Sequence, residues 1–461
     1  MTSETARPVG YPTRRDAYYV AFIVFTATAF SFLDRQVLAI LVDPIRHDLQ
    51  VSDTRMSLLY GFAFVILYST LGLPIGRLID RSQRRLILAA GVATWSVMTI
   101  ACGLAHDYWT LFAARIGVGV GEACLTPAAC SLLADCFEPR VRGRAMSVYL
   151  LGVYVGLGLS MAVGGALYEA LRRGVHLPFI GALAPWRAVF VLIGAPGLLI
   201  AALAPTMREP PRQDLAAATG GGAPADDANP GLVRYLRLNA STIATALAAH
   251  GLLAFVSYAL MGWAPSVLVR QFHQPRAAVG LTLGVLSLVG GVVGALWGSI
   301  VSDRWTAQGM TAAKFRVCAI GAGFAAVGLT ILPFATAAWT AFAAITLCLT
   351  ALPFASASGQ TMVQELFPNR LRGQGSAMMV LLMGLFGAGG GPLAVGLLSD
   401  TLLRRQGLSV AIVSTGLPAA IAVLLLYLLG RDAYEAARRR VKRQAEPTAP
   451  SGLLTPRSHP A

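Results

Sequence analysis

Twelve apolar stretches of about 20 residues recur along the 461-residue chain, and they constrain its fold more than any other feature. A helix advances about 1.5 Å per residue, so each stretch is long enough to cross a bilayer's hydrocarbon core. Backbone amides find no water there, so each stretch must satisfy its own hydrogen bonds as a helix. The expected spans are Ala17–Val42, Leu58–Ile79, Leu86–Ala105, Tyr108–Leu133, Ala145–Leu167 and Ala188–Pro205. The second group is Ala240–Val269, Val279–Val301, Phe315–Thr336, Trp339–Val363, Ser376–Leu398 and Val410–Leu429. Only 13% of residues are charged, about half of what a soluble domain carries. The first span contains Asp34 and Arg35 and no small-residue cleavage site follows it, so it is expected to stay in the protein.

A net charge of +15 raises nucleic acid as a partner, but the placement of the charge argues against it. With twelve spans and both termini on one side, 26 of the 37 Lys and Arg fall in the terminal segments and even-numbered loops, and nine in the odd-numbered loops. Lys and Arg concentrate on the cytoplasmic side of membrane proteins. Both termini are therefore expected in the cytoplasm, in a bacterial-type inner or plasma membrane. The tail run Arg438, Arg439, Arg440, Lys442 and Arg443 has two readings, contact with anionic headgroups or plain solvation. The six cysteines form no CxxC pair and read as small packing residues, and no metal site is expected.

The stretch from Arg208 to Leu232 is rich in Gly, Ala, Pro and Asp, which is linker composition. It separates two groups of six spans whose loops echo each other. Asp80–Arg81 after the second span is matched by Asp303–Arg304 after the eighth, and Arg140, Arg142 and Gly143 by Arg370, Arg372 and Gly373. The expected fold is an all-α membrane protein of two pseudo-symmetric six-helix bundles. The divisions are an N-terminal bundle (1–206), a cytoplasmic linker (207–237), a C-terminal bundle (238–430) and a basic cytoplasmic tail (431–461). Repeats of this kind place a substrate at their interface and alternate its access by rocking one half against the other.

The segment GRLIDRSQRRL follows the pattern G-x-L-x-D-R-x-x-R-R through Gly76, Leu78, Asp80, Arg81, Arg84 and Arg85. It resembles the loop between helices two and three of the major facilitator superfamily, although Ser82 and Gln83 stand where that family usually has an aromatic and a Gly. RIGVGVGEA (Arg115–Ala123) resembles the family's helix-four motif. Together with FLDRQ in the first span and GWAPSVLVRQF at the seventh, it is similar to the spinster-like branch. The resemblance implies that Asp80 and its arginines lock the cytoplasmic side together with Asp135. It also implies a lysolipid or sphingoid-type phosphate substrate, and export as the favoured direction.

Four charged residues lie well inside expected spans: Asp34, Arg35, Arg115 and Glu122. Each costs about 3 kcal/mol or more to insert, so each is a functional candidate. Asp34 and Arg35 are helix neighbours and do not face each other. Arg115 and Glu122 are seven residues and about 10 Å apart along one stripe. Matching depths predict an Asp34–Arg115 pair, with Arg35 turned toward Glu122 or toward an anionic substrate. In low dielectric a carboxylate resists ionisation, and a neighbouring Arg reverses that preference. Glu122 can then change protonation as Arg35 moves, which is what proton coupling requires. A static ion network is the alternative.

Gly117, Gly119 and Gly121 lie inside an apolar run and are expected to bring spans one and four together, while Gly389, Gly390 and Gly391 serve close approach or a bend in span eleven. Tyr60, Tyr154, Tyr258, Ser356 and Gln360 are candidate cavity-lining residues. His250, the one histidine in an expected span, reads as a hydrogen-bonded packing residue, with the cavity wall as the alternative. The expected function is a proton-coupled secondary transporter of an organic anion or lipid-like amphiphile, a monomer with no cofactor beyond the proton gradient. A drug-efflux or small-carboxylate carrier is the nearest alternative. A lipid-modifying enzyme would need clustered catalytic groups that the scattered histidines do not supply.

Overall fold

The computed structural model describes residues 11–177, 181–212, 232–368 and 371–445. Among them are twelve helices long and apolar enough to cross a membrane. The first six are α1 (Arg14–Asp48), α2 (Asp53–Gly72), α3 (Arg84–Leu104), α4 (Tyr108–Cys136), α5 (Arg140–Ala170) and α6 (Pro185–Thr206). The second six are α7 (Ala240–Arg270), α8 (Arg276–Ala307), α9 (Ala313–Phe334), α10 (Ala338–Leu366), α11 (Arg372–Asp400) and α12 (Leu408–Leu429). Several overrun the apolar stretch that marks them, because a helix ends where its caps lie and not where hydropathy falls. The α2 helix begins at Asp53, on the N-cap Ser52, and continues past Gly72 to Arg81.

Three elements outside the spans were not expected. An antiparallel hairpin, β1 (Val175–Leu177) and β2 (Gly181–Leu183), joins α5 to α6. A short helix, Leu232–Leu238, precedes α7. The tail forms a helix, Arg431–Ala445, whose Tyr434 stacks on Phe315 of α9 at 4.5 Å between ring centroids. The rest of the tail and linker residues 213–231 lie outside the described residues, as does Arg370 of the second loop motif.

Within the first half α1 packs on α5, and α3 on α4 and α6; within the second half α7 packs on α12, and α9 on α10 and α12. The halves meet along α5–α8, α2–α11 and α1–α7. Exchanging one bundle for the other turns the α2–α11 contact into α8–α5, the mark of a pseudo-two-fold scaffold. Lipid tails are as apolar as Leu, so side-chain packing and polar bonds hold such helices together, and small residues set how close they come. Large apolar side chains such as Leu199, Trp297 and Phe324 remain on the outer surface, as a bilayer permits.

At the α2–α11 crossing both helices open into π-helical turns, Leu58–Phe62 and Met383–Gly390. A side chain at Gly61 would run into the Ala388 carbonyl there. The Gly117–Gly121 stripe corrects the expectation made for it. Gly119 abuts the Phe64 carbonyl of α2, while Gly117 and Gly121 abut Met98 and Trp95 of α3, so the stripe admits spans two and three and not span one.

Candidate functional site

The four intramembrane charges come together where α1 and α4 pass. Successive helical residues project about 100° apart, so Asp34 and Arg35 leave α1 in different directions. Arg35 turns to α4, where Nε donates to Glu122 Oε2 at 3.2 Å and Nη2 bonds the same oxygen. Its guanidinium also lies 4.2 Å from the ring centre of Phe64, 4.8 Å from Phe32 and 5.2 Å from Tyr68, an aromatic sleeve suited to a partly desolvated cation. The Glu122 side chain is fully buried and that of Arg35 retains 12% exposure, so only the cation can be reached from outside. Glu122 Oε1 has no hydrogen-bond partner among the described residues.

The expected Asp34–Arg115 ion pair is not formed. Arg115 instead donates to backbone carbonyls of α1, Nη1 to Asp34 at 3.2 Å and Nη2 to Arg35 at 3.3 Å. The Asp34 carboxylate faces α3 and accepts from Thr99 Oγ1 at 3.2 Å. The depths match, as expected, but the rotation of α1 carries Asp34 past the guanidinium. Arg115 thereby pins the main chain just where Arg35 emerges. Thr99 carries no signal in sequence that would have singled it out.

Beside this centre lies a cavity of about 160 Å³ between α5, α7, α8, α10 and α11. Tyr154, His250, Tyr258 and Ser356 line it. Two other candidates do not. Tyr60 is buried, donates to Gln36 Oε1 and packs its ring near Gly262 of α7, while exposed Gln360 lies off the cavity wall. His250 is likewise not the hydrogen-bonded packing residue expected, because neither ring nitrogen has a partner among the described residues.

The end of the bundle remote from the chain termini is held shut by charges at or near the helix ends. Arg270, in the last turn of α7, donates through Nε to Asp43 at 2.6 Å and through both Nη atoms to Asp53 at 2.8 and 2.9 Å. Asp400, closing α11, accepts from the Asp53 and Thr54 backbone amides at 3.2 and 2.6 Å, capping the N-terminus of α2. There it gains from that helix's dipole. Ser399 adds a bond to Asp53 at 3.0 Å, and Ser57 one to the Pro392 carbonyl at 2.8 Å. Among the described residues, the polar bonds that join the two halves all lie in this region.

At the opposite end Arg84 and Arg85 of the loop motif bond to their own half and to the start of the linker. Arg84 pairs with Asp135 and with Glu209 at 2.8 Å; Arg85 donates to the Pro205 and Met207 carbonyls. Glu209 also accepts from the Arg84 and Arg85 amides at 3.2 and 3.1 Å and so caps α3. Arg81 is exposed, a side chain at Gly76 would meet open space, and the Asp80 side chain lies outside the described residues. Glu209 was hidden because it reads as the first acid of a linker. It straps that linker to the bundle. Glu209→Ala should release the strap and speed tryptic cleavage after Arg212 several-fold, since proteolysis follows local opening; cleavage at the wild-type rate would show the strap to be idle.

The match to known proteins covers most of the chain. The family model described as Major Facilitator Superfamily matches residues 24–390. An MFS-type efflux pump of Mycolicibacterium smegmatis is 27% identical over 93% of this chain and 94% of its own length. Protein spinster homolog 1 of Xenopus tropicalis is 27% identical, over 89% of this chain and 78% of that one. A crystal structure of a bacterial homologue of the human lysosomal transporter spinster, inward-facing and unoccupied, superposes with a TM-score of 0.76 at 24% identity, covering 94% of this chain and 99% of that one. Twelve membrane helices in two packed halves, a loop motif bound to its own bundle and a family match over most of the length lead to one assignment: this chain is an integral, multi-pass membrane protein that belongs to the Major Facilitator Superfamily of transporters.

Proposed function

We propose that this transporter couples the movement of an organic anion or lipid-like amphiphile to protons, by alternating access between the 1–206 and 238–430 halves. The Arg35–Glu122 pair carries this reading, because a buried ion pair is a weak stabiliser and persists for some other reason. Arg35 is the accessible cation, so an incoming carboxylate or phosphate competes with Glu122 for it. Once displaced, Glu122 is a carboxylate stranded in an apolar interior, and it takes up a proton. Anion and proton then occupy the protein together, and net movement follows the sum of their gradients.

The distribution of Lys and Arg supports cytoplasmic termini in a bacterial-type inner or plasma membrane. In that orientation the Arg270 clasp shuts the external face and the conformation is inward-facing. The loop motif of Gly76, Asp80, Arg81, Arg84 and Arg85 with Asp135 serves as the cytoplasmic gate. An apolar groove of about 560 Å³ between α7 and α11, lined by Ile243, Leu247, Met378 and Phe386 among others, supports a substrate with an alkyl portion.

Proteoliposomes loaded at a fixed pH and offered labelled lysophosphatidate, gluconate or ethidium test the proposal. A gradient acid on the anion side should drive accumulation of at least one anion, and its binding should strengthen as pH falls. Uptake of ethidium alone, or uptake indifferent to the gradient, would sink the proposal and favour a general efflux carrier.

A further inference from the structure

His250 stands on the wall of the cavity as the least satisfied buried side chain among the described residues of the second bundle. It is only 1% exposed, and both ring nitrogens lack partners among the described residues. A neutral imidazole carries one donor and one acceptor, and leaving both unmade in an apolar interior is costly. The ring has little freedom to search for partners. Gly359 of α10 lies directly against it, so close that any side chain there would strike Nδ1. Shape therefore holds the imidazole in place while its bonding capacity stays open.

The surrounding wall narrows what can fill that capacity. The hydroxyl-bearing residues Tyr154, Ser257, Tyr258, Ser287 and Ser356 line the same cavity as His250, and among the described residues no charged side chain lines it. A second ion has no counter-charge here, and an alkyl chain would leave both imidazole nitrogens stranded. A hydroxyl can donate or accept, so it suits either tautomer of the ring at a single nitrogen and needs no counter-charge. Tyr258 belongs to this wall and also lies within electrostatic reach of Arg35, which sets the cavity near the anion site.

We propose that His250 is a specificity-determining residue that seats a hydroxyl group of the transported anion, whose carboxylate or phosphate meets Arg35. The inference rests on the transport site proposed above and names the chemistry of its cargo: an anion that also bears a hydroxyl, held at both points.

Equilibrium binding to the full-length protein in lipid nanodiscs tests it with two matched pairs of probes. One pair is gluconate and hexanoate; the other is 1-oleoyl-lysophosphatidate and its 2-deoxy analogue. A site built around a hydrogen bond rejects the analogue that lacks it, so in at least one pair the hydroxylated member should bind wild type about tenfold tighter or more. His250→Phe, which keeps a ring and removes its nitrogens, should close that gap without changing affinity for the deoxygenated partner. His250→Gln, which keeps a donor and an acceptor, should retain most of it.

Equal affinities within both pairs on wild type, no binding of either hydroxylated anion, or a gap that survives in His250→Phe would each overturn the proposal. Should the Phe variant fail to fold, the wild-type comparison within each pair still decides. Binding at equilibrium needs no gradient, so the two proposals fail separately. Lost discrimination with intact proton-driven uptake removes the His250 role alone, and retained discrimination without gradient response removes the coupling alone.

Discussion

Glu122→Gln is expected to yield a transporter that still binds its anion and no longer accumulates it. The amide has the shape of a protonated carboxyl and carries no charge, so Arg35 loses its internal partner permanently. Anion affinity should rise and become insensitive to pH, because the step in which anion and carboxylate compete is gone. A gradient of one pH unit supports up to about tenfold accumulation through a single coupled proton, since one unit corresponds to about 1.4 kcal/mol. In the variant the ratio should fall to equilibration. Proteoliposome uptake with and without the imposed gradient measures both quantities. Accumulation at the wild-type ratio would remove Glu122 from the mechanism and leave the ion pair a structural feature.

Arg270→Ala should act on conformation and not on chemistry. The side chain joins Asp43 of α1 and Asp53 of α2 to the end of α7, and its removal leaves two carboxylates facing each other without a cation of that geometry. Breaking a fully buried pair costs about 3–5 kcal/mol. Arg270 is a quarter exposed and Arg46 still reaches Asp53 at 3.1 Å, so about 2 kcal/mol is the appropriate scale. That moves the balance between closed and open far-end states by about thirtyfold. Spin labels on the remote ends of α1 and α7, read as a distance distribution, should show a longer population in Arg270→Ala. Arg270→Lys should give a partial shift, because an ammonium cannot bridge two carboxylates through the same planar fork. An unchanged distribution would show that the Asp400 cap and the apolar contacts hold this end alone.

How far the site could be read from sequence depended on which property of a residue was asked for. The spans and the four intramembrane charges were legible because charge in an apolar run is conspicuous whatever the fold. Which charge meets which was only half legible. Depth follows from counting residues, but rotation does not, and the rotation of α1 sends Asp34 to Thr99 and leaves Arg115 on the main chain. The glycines of α4 carried the same ambiguity: their stripe announced a close approach without naming the helix that makes it. The far-end clasp was invisible for another reason. Asp53 and Arg270 are 217 residues apart and Asp53 and Asp400 are 347 apart, each in an ordinary loop-proximal position where a charge attracts no notice. Glu209 was masked by the linker composition around it. His250 was noticed, but its lack of partners is a fact of packing that only coordinates reveal.

The paired π-helical turns of α2 and α11 bear on how such a molecule changes shape. A π turn takes in one residue more than an α turn, and such turns recur at functional positions. Passing that surplus residue on would turn everything beyond it by about 100° and advance it by about 1.5 Å. Asp53 lies just before one such turn and Asp400 ten residues past the other, on the two sides of the clasp. The backbone thus holds a discrete notch of slack at the crossing itself, and a one-residue slip there would be enough to misalign a cap with the helix it covers.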